Sequence, residues 1–206
     1  MSVLFTPGSS AAATLERRPY LQQGTPTSMV VVWNTTADAQ GELRWGTSPT
    51  ALTNVVSTGL GTRHEVTLTG LSPDTTYYYA VYGDGGLLAG GDVAHFFVTS
   101  PAGPKKFRAW LVGDSGTGGS AQAAVRDSML GFVKTTPPDI YLHVGDMAYA
   151  DGTTAEFTAN FYGVYAQVLQ NTVCWPAMGN HEGYTSDSAS QTGAYYEGYV
   201  LSLIHI

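Results

Sequence analysis

Cysteine is almost missing from this 206-residue chain: Cys174 stands alone, so no intramolecular disulfide can form. Inside the apolar stretch from Val173 to Met178 it reads as a small buried hydrophobe, and it says little about redox compartment. Charge is sparse too, at 12% of residues, about half the share of an ordinary domain. The 9 basic residues form nothing longer than the pairs Arg17-Arg18 and Lys105-Lys106, and 16 acidic residues bring the net charge to -7. Nucleic acid is therefore not an expected partner. No run of about 18 apolar residues occurs, so no membrane-spanning segment is expected. What the chain does have is 43% hydrophobic residues, enough for one large core or two small ones, with 25 Gly and 13 Tyr that lean towards turns and aromatic-rich strands.

Periodicity divides the chain in two. From Thr14 to Thr99 short β-rich runs recur between turn residues: Ser28 to Trp33, Glu42 to Trp45, His64 to Leu68 and Tyr77 to Tyr82. This spacing predicts an all-β sandwich over 14–100. Leu71-Ser72-Pro73-Asp74-Thr75-Thr76-Tyr77 resembles the fibronectin type III signature, whose last tyrosine, here Tyr77, bonds its hydroxyl to upstream backbone. The aromatic residues of this half read as core and corner, not as a ligand surface.

Pro101 and Pro104 flank Gly103 in a segment without periodicity, which predicts a linker over 101–106. Beyond it the pattern alternates. Arg108 to Val112, Ile140 to Val144 and Val173 to Met178 are apolar runs. Between them Gly119 to Lys134 carries helical spacing through Ala123, Val125, Met129, Phe132 and Val133, and Thr153 to Gln170 through Phe157, Phe161, Val164, Tyr165, Val168 and Leu169. Strand, helix, strand, helix, strand predicts a parallel α/β sheet over 107–200.

Each apolar run ends in Gly followed by a polar residue: Gly113-Asp114, Gly145-Asp146 and Gly179-Asn180. Ligands of open α/β sheets collect at the carboxyl ends of strands, so these three side chains are expected to converge. Two carboxylates in a partly buried cleft repel each other unless a cation neutralises them. Oxygen donors of Asp and Asn, with Tyr149 and His181 nearby, suit hard ions, whereas a structural zinc would prefer Cys and His. A helix N-cap remains open for Asp114 alone. His143 is expected to be a hydrogen-bonded core histidine.

The blocks Gly113-Asp114-Ser115-Gly116, Gly145-Asp146-Met147-Ala148-Tyr149 and Gly179-Asn180-His181-Glu182 resemble GDxG, GDxxY and GNH(E/D), the first three blocks of the purple acid phosphatases, in order and behind the fibronectin-like domain that family carries. The resemblance covers about residues 14 to 200. It implies hydrolysis of phosphate monoesters at a dinuclear centre of Fe(III) with Zn, Mn or Fe(II), in a partial αββα metallophosphoesterase domain. By position Asp114 would bind iron, Asp146 would bridge both metals, Tyr149 would bind iron through its phenolate, and Asn180 would bind the divalent ion. His181 would meet the phosphate or move a proton, and Asp151 and Glu182 would be outer hydrogen-bond acceptors. Tyr149 discriminates within the wider superfamily, whose usual first block has histidine where Gly116 stands. The resemblance also implies a secreted or periplasmic protein. It implies no oligomeric state.

Two other classes stay open. Gly-Asp-Ser around Ser115 is similar to the nucleophile block of GDSL esterases, though no late Asp-x-x-His pair follows, and the Gly-Gly-Pro continuation of chymotrypsin-like proteases is missing. A fibronectin-like binding module with a degenerate second half is the third class.

Both ends carry expectations of their own. Residues 1–13 are expected to be a leader or disordered, since Ala11-Ala12-Ala13 suits a signal peptidase but a basic n-region and a proper h-region are lacking. The family's later VxxH and GHxH blocks, which supply three histidine ligands, do not occur, and the last histidine is His205. Leu201-Ser202-Leu203-Ile204-His205-Ile206 reads as a translated sequencing-adapter end, so the natural sequence is expected to diverge near Leu201; an apolar strand is the other reading of 201–206. With too few donors for two ions, the chain by itself is expected to have negligible phosphatase activity.

Overall fold

The computed structural model describes residues 12–199. The expected leader, up to residue 11, and the expected adapter-derived tail, residues 201–206, lie outside the described residues.

Six strands build the first half: β1 (Leu15–Gln22), β2 (Ser28–Gly46), β3 (Asn54–Thr69), β4 (Thr76–Gly83), β5 (Gly86–Gly90) and β6 (Phe96–Val98). The predicted runs Ser28 to Trp33 and Glu42 to Trp45 are one 19-residue strand. β2 pairs with β3 along its length, with β1 beside its first half and β4 beside its second. The β2–β3 register shifts between Asn34 and Ala39, so one continuous hydrogen-bonded sheet folds over into the sandwich. Tyr77 makes the expected corner: the Ser72 N–H donates to its hydroxyl at 2.9 Å. Trp33, Tyr77, Tyr79 and Phe97 are core residues, as expected.

The second half adds β7 (Ala109–Val112), α1 (Ser120–Val133), β8 (Ile140–His143), α2 (Thr154–Glu156), a π-helical turn (Phe157–Tyr162), α3 (Gly163–Leu169), β9 (Cys174–Pro176), a 3-10 turn (Glu182–Tyr184), the short pair β10 (Ser186–Asp187) and β11 (Thr192–Gly193), and α4 (Ala194–Gly198). β7, β8 and β9 form a parallel sheet in that order, as predicted. The buried face of the second helical segment is the predicted one, with Phe157, Phe161, Tyr165, Val168 and Leu169 inside. α1 corrects its prediction in part: the helix is present, but Val125 and Phe132 are exposed, and Met129 and Gln122 are the buried positions. Apolar spacing gave the helical period there but not the buried face.

The two halves share a core. Along Ser28 to Trp33 the apolar run does not alternate, because both faces are covered: Met29, Val31 and Trp33 point into the sandwich, while Val30 and Val32 join Tyr20 against Phe157, Phe161, Tyr162 and Tyr199. Cys174 is buried in this second cluster, as expected.

The three-stranded sheet is covered on one face only. Trp110, Tyr141 and Cys174 lie in register on the face packed under the helices. Leu111, Leu142 and Trp175 lie in register on the other, and Leu111 is 62% exposed. Parallel sheets in complete α/β domains are covered on both faces, so this is an α/β domain lacking one layer among the described residues.

Candidate active site

Parallel pairing brings the ends of β7, β8 and β9 to one edge, with Val112, His143 and Pro176 level across the sheet. Asp114 and Asp146 both take the left-handed conformation, at φ 52° and 55°. Asp tolerates that region better than most residues, and it turns the chain back just where the strand stops. The loops then dock backbone to backbone. The Asp114 N–H donates to the Gly145 carbonyl at 3.0 Å, the Ser115 and Gly116 N–H groups both donate to the Asp146 carbonyl at 3.1 Å, and the Tyr149 N–H donates to the Gly116 carbonyl at 2.8 Å.

Glycine is required where these backbones meet. A Cβ on Gly116 would lie 2.2 Å from the Met147 carbonyl carbon, and one on Gly179 would lie 2.2 Å from the Asp146 amide nitrogen. Gly116→Ala is therefore expected to destabilise the fold by about 1–3 kcal/mol, the usual cost of forcing atoms into a filled space. It would also push Tyr149 away from the carboxylates. Urea unfolding measures the first effect, and an unchanged midpoint would contradict the packing described.

The side chains of the first two blocks converge. The Tyr149 hydroxyl is 3.3 Å from Asp146 Oδ2 and 3.5 Å from Asp114 Oδ1, so one phenol spans two carboxylates from different loops. Burial, then the charges of Asp146 and Asp114, push the Tyr149 phenol up to about 12. The other oxygen of Asp146 accepts the His181 N–H at 3.1 Å. Asp146 is buried, while Asp114 and Asn180 are exposed. Asp114 is not a helix cap: α1 starts at Ser120 with Gly119 at its N-cap.

His181 stands edge-on to Tyr149, with ring centroids 4.5 Å apart. Its Nδ1 donates to the Ala150 carbonyl, which leaves Nε2 outside that bond. Glu182 is fully buried and accepts hydrogen bonds from the second and third blocks. Asp151 does not join the cluster. It is exposed, and its bond is from its backbone N–H to Glu156.

His143 is buried and hydrogen-bonded, as expected, but its partner is Ser115, with Oγ 2.8 Å from Nε2. The Gly145 N–H points at Nδ1 from 3.3 Å, so Nε2 carries the ring proton and donates to Ser115. Burial lowers the imidazole to about 4, with Asp146 opposing. The folded ring is therefore neutral between pH 4 and 6.5, where the unfolded chain takes up the proton. Stability on the order of 3 kcal/mol is then present above pH 6.5 and lost as pH falls towards 4. Urea unfolding across this window should show a shallower pH slope in His143→Phe; an identical slope would remove His143 as the cause.

Glu156 was not anticipated. It completes a capping box with Thr153 and accepts the Ala150, Asp151 and Thr153 N–H groups, bracing the loop that follows Tyr149. The Thr-x-x-Glu spacing ahead of Phe157 was its signal. A cavity of about 510 Å³ bordered by Phe96, Lys106, Phe107 and Ile140 lies at the opposite, amino end of β8 and contains none of these residues.

Residues 17–99 match the family described as the purple acid phosphatase N-terminal domain. Over those residues the chain is similar to the domain that opens the purple acid phosphatases. Its fold is shared with the solved structure of PhoD, at 12% identity and a TM-score of 0.64, over 96% of this chain and 48% of that one. At that identity the likeness is one of fold, and the chain spans about half the length of PhoD. A fibronectin type III domain from the human KIAA0970 protein is 14% identical with a TM-score of 0.33, over 50% of this chain and 91% of that one. None of the curated proteins matches the chain.

Proposed function

We propose that the site belongs to a phosphate-monoester hydrolase of the acid phosphatase type, assembled in full in a longer parent protein. The observation that carries this reading is the Tyr149 hydroxyl within 3.5 Å of both Asp114 and Asp146. Among the described residues no three His, Cys, Asp or Glu side chains gather into a group that could hold a metal ion. The converging donors are instead two carboxylates and a phenol, with Asn180 on the adjoining loop. An all-oxygen set of this kind fits hard cations. Asp114, Asp146 and Tyr149 would hold Fe(III), with Asp146 and Asn180 reaching a Zn, Mn or Fe(II) ion, as the resemblance implies. Such a pair of ions supplies an acidified water and offsets charge on the phosphoryl group.

The chain's own residues orient the rest. Asp146 is held by the His181 N–H through one oxygen, so its other oxygen is turned to Tyr149. His181 presents Nε2, from which a proton can pass to or from a phosphate ester oxygen. Four donors are too few to fill the coordination shells of two ions, so this chain alone is proposed to turn over little substrate. Metal analysis of the parent, with turnover of p-nitrophenyl phosphate before and after chelation, tests the reading. A metal-free parent, or chelator-resistant turnover, would overturn it.

The contact between Ser115 and His143 favours a serine hydrolase at first sight. The reading is weakened because Nε2 donates to the hydroxyl and so cannot accept its proton, and among the described residues no carboxylate bonds to the ring. The binding-module reading is weakened by the burial of Tyr20, Val30 and Val32 under the second half. No helix among the described residues is long and apolar enough to cross a membrane. Secretion or a periplasmic location is proposed from the family resemblance.

A further inference from the structure

We propose that Glu182 is the positioning residue of this site: its carboxylate fastens the loop after β8 to the loop after β9, and so sets Asp146 and Asn180 relative to each other. The clamp itself is independent of the phosphatase reading; its use in placing metal donors rests on that reading. Oε1 accepts the Met147 N–H at 2.8 Å and the Ala148 N–H at 3.1 Å. Oε2 accepts the Asp146 N–H at 2.9 Å and the Gly179 N–H at 2.8 Å. A carboxylate has about four lone-pair sites, and here backbone donors fill all of them.

No lysine or arginine takes part in these bonds. Glu182 is 0% exposed, so oriented peptide dipoles take the place a counter-ion would otherwise hold. Local capping does not account for this geometry. Three of the four donors lie 34 to 36 residues upstream, on a different loop.

The consequence falls on the two neighbouring donors. Asp146 is fixed through its N–H by Glu182, through its carbonyl by Ser115 and Gly116, and through Oδ1 by the His181 N–H. Asn180 lies between Gly179, whose N–H is on Glu182, and His181, whose N–H is on Asp146. Its backbone is therefore pinned on both sides while its side chain stays exposed. Glutamine cannot reproduce this arrangement, because its NH2 would face two N–H donors. Aspartate, shorter by one methylene, can reach one loop but not both.

The test is amide hydrogen exchange by NMR on the full chain, comparing wild type with Glu182→Gln, Glu182→Asp and a control, Phe161→Leu, which weakens the core without touching the clamp. In Glu182→Gln the amides of Asp146, Met147, Ala148 and Gly179 should exchange about tenfold faster or more relative to Tyr141. The Asn180 side-chain and Tyr149 ring signals should shift with them. Glu182→Asp should keep the amides of one loop protected and release those of the other, Asp146, Met147 and Ala148 forming one set and Gly179 the other. Phe161→Leu should leave the ratio and the signals as in wild type. Wild-type protection of all four amides in either Glu182 variant, or an equal response in the control, would overturn the proposal. Titration with manganese separates it from the functional reading. Wild type without broadening at Asp146 and Asn180 counts against the metal site and leaves the clamp standing. Broadening equal in wild type and Glu182→Gln would overturn the positioning role.

Discussion

On the proposed iron site, Tyr149→Phe in the metal-loaded parent should abolish the visible tyrosinate-to-iron absorption that site would give, while leaving the fold intact. The phenol spans Asp114 and Asp146, so it is the ring placed to share an ion with both. Tyr184, the other tyrosine of this region, packs on His181 with ring centroids 5.7 Å apart and is 67% exposed. Phenylalanine keeps the edge-on contact with His181 and removes one oxygen. The one hydroxyl proton is shared between two long contacts, and the stability cost of losing it should be about 1 kcal/mol or less. An absorption spectrum and a urea midpoint, taken on one preparation, decide the matter: a protein that stays purple removes Tyr149 from the iron.

Removing the sandwich should have the larger structural effect. The segment from residue 101 onward, expressed alone, is expected not to fold. Tyr20, Val30 and Val32 would be lost from its core, at about 1.5–3 kcal/mol for each large buried side chain. Arg17 lies 4.4 Å from the centre of the Tyr162 ring and donates to Thr158 and to the Thr154 carbonyl. The Gly198 carbonyl accepts from Tyr20 and Gln22 of the first half, and the Gln170 carbonyl accepts from Tyr79. At about 1 kcal/mol for each such bond, the total approaches the whole stability of a typical domain, about 5–15 kcal/mol. Circular dichroism and a proton NMR spectrum check this. Dispersed amide signals from the fragment would show that the second half stands without the first.

Much of the site was legible because its signal lies in side chains at strand ends. Gly-Asp, Gly-Asp and Gly-Asn each close an apolar run, and parallel pairing does the rest. What escaped was carried by backbone. Glu182 stood out only as a position within a block, since its partners are N–H groups that leave no trace in residue type. Glu156 was missed although its capping spacing was visible. The pairing of Ser115 with His143 joins residues that no local pattern connects.

The fold shows the same division. The stretch between the predicted runs ending at Trp33 and starting at Glu42 stays extended, and only the register with β3 changes. β1 was overlooked because Arg17, Arg18 and Pro19 obscure its pattern; Arg17 is buried against the second half, and the register with β2 shifts beside Pro19. The unbroken apolar run of Ser28 to Trp33 did hold a clue to the shared core, because a strand covered on one side only should alternate.

The close approach at Gly116 also bears on how such a site can change over time. With the Met147–Ala148 peptide lying where a Cβ would project, no side chain fits at position 116 while Tyr149 keeps its place. A histidine side chain at 116 and Tyr149 in its present place exclude each other on this backbone. A single substitution at 116 therefore cannot add a side chain there on this backbone, because the second loop has to move first.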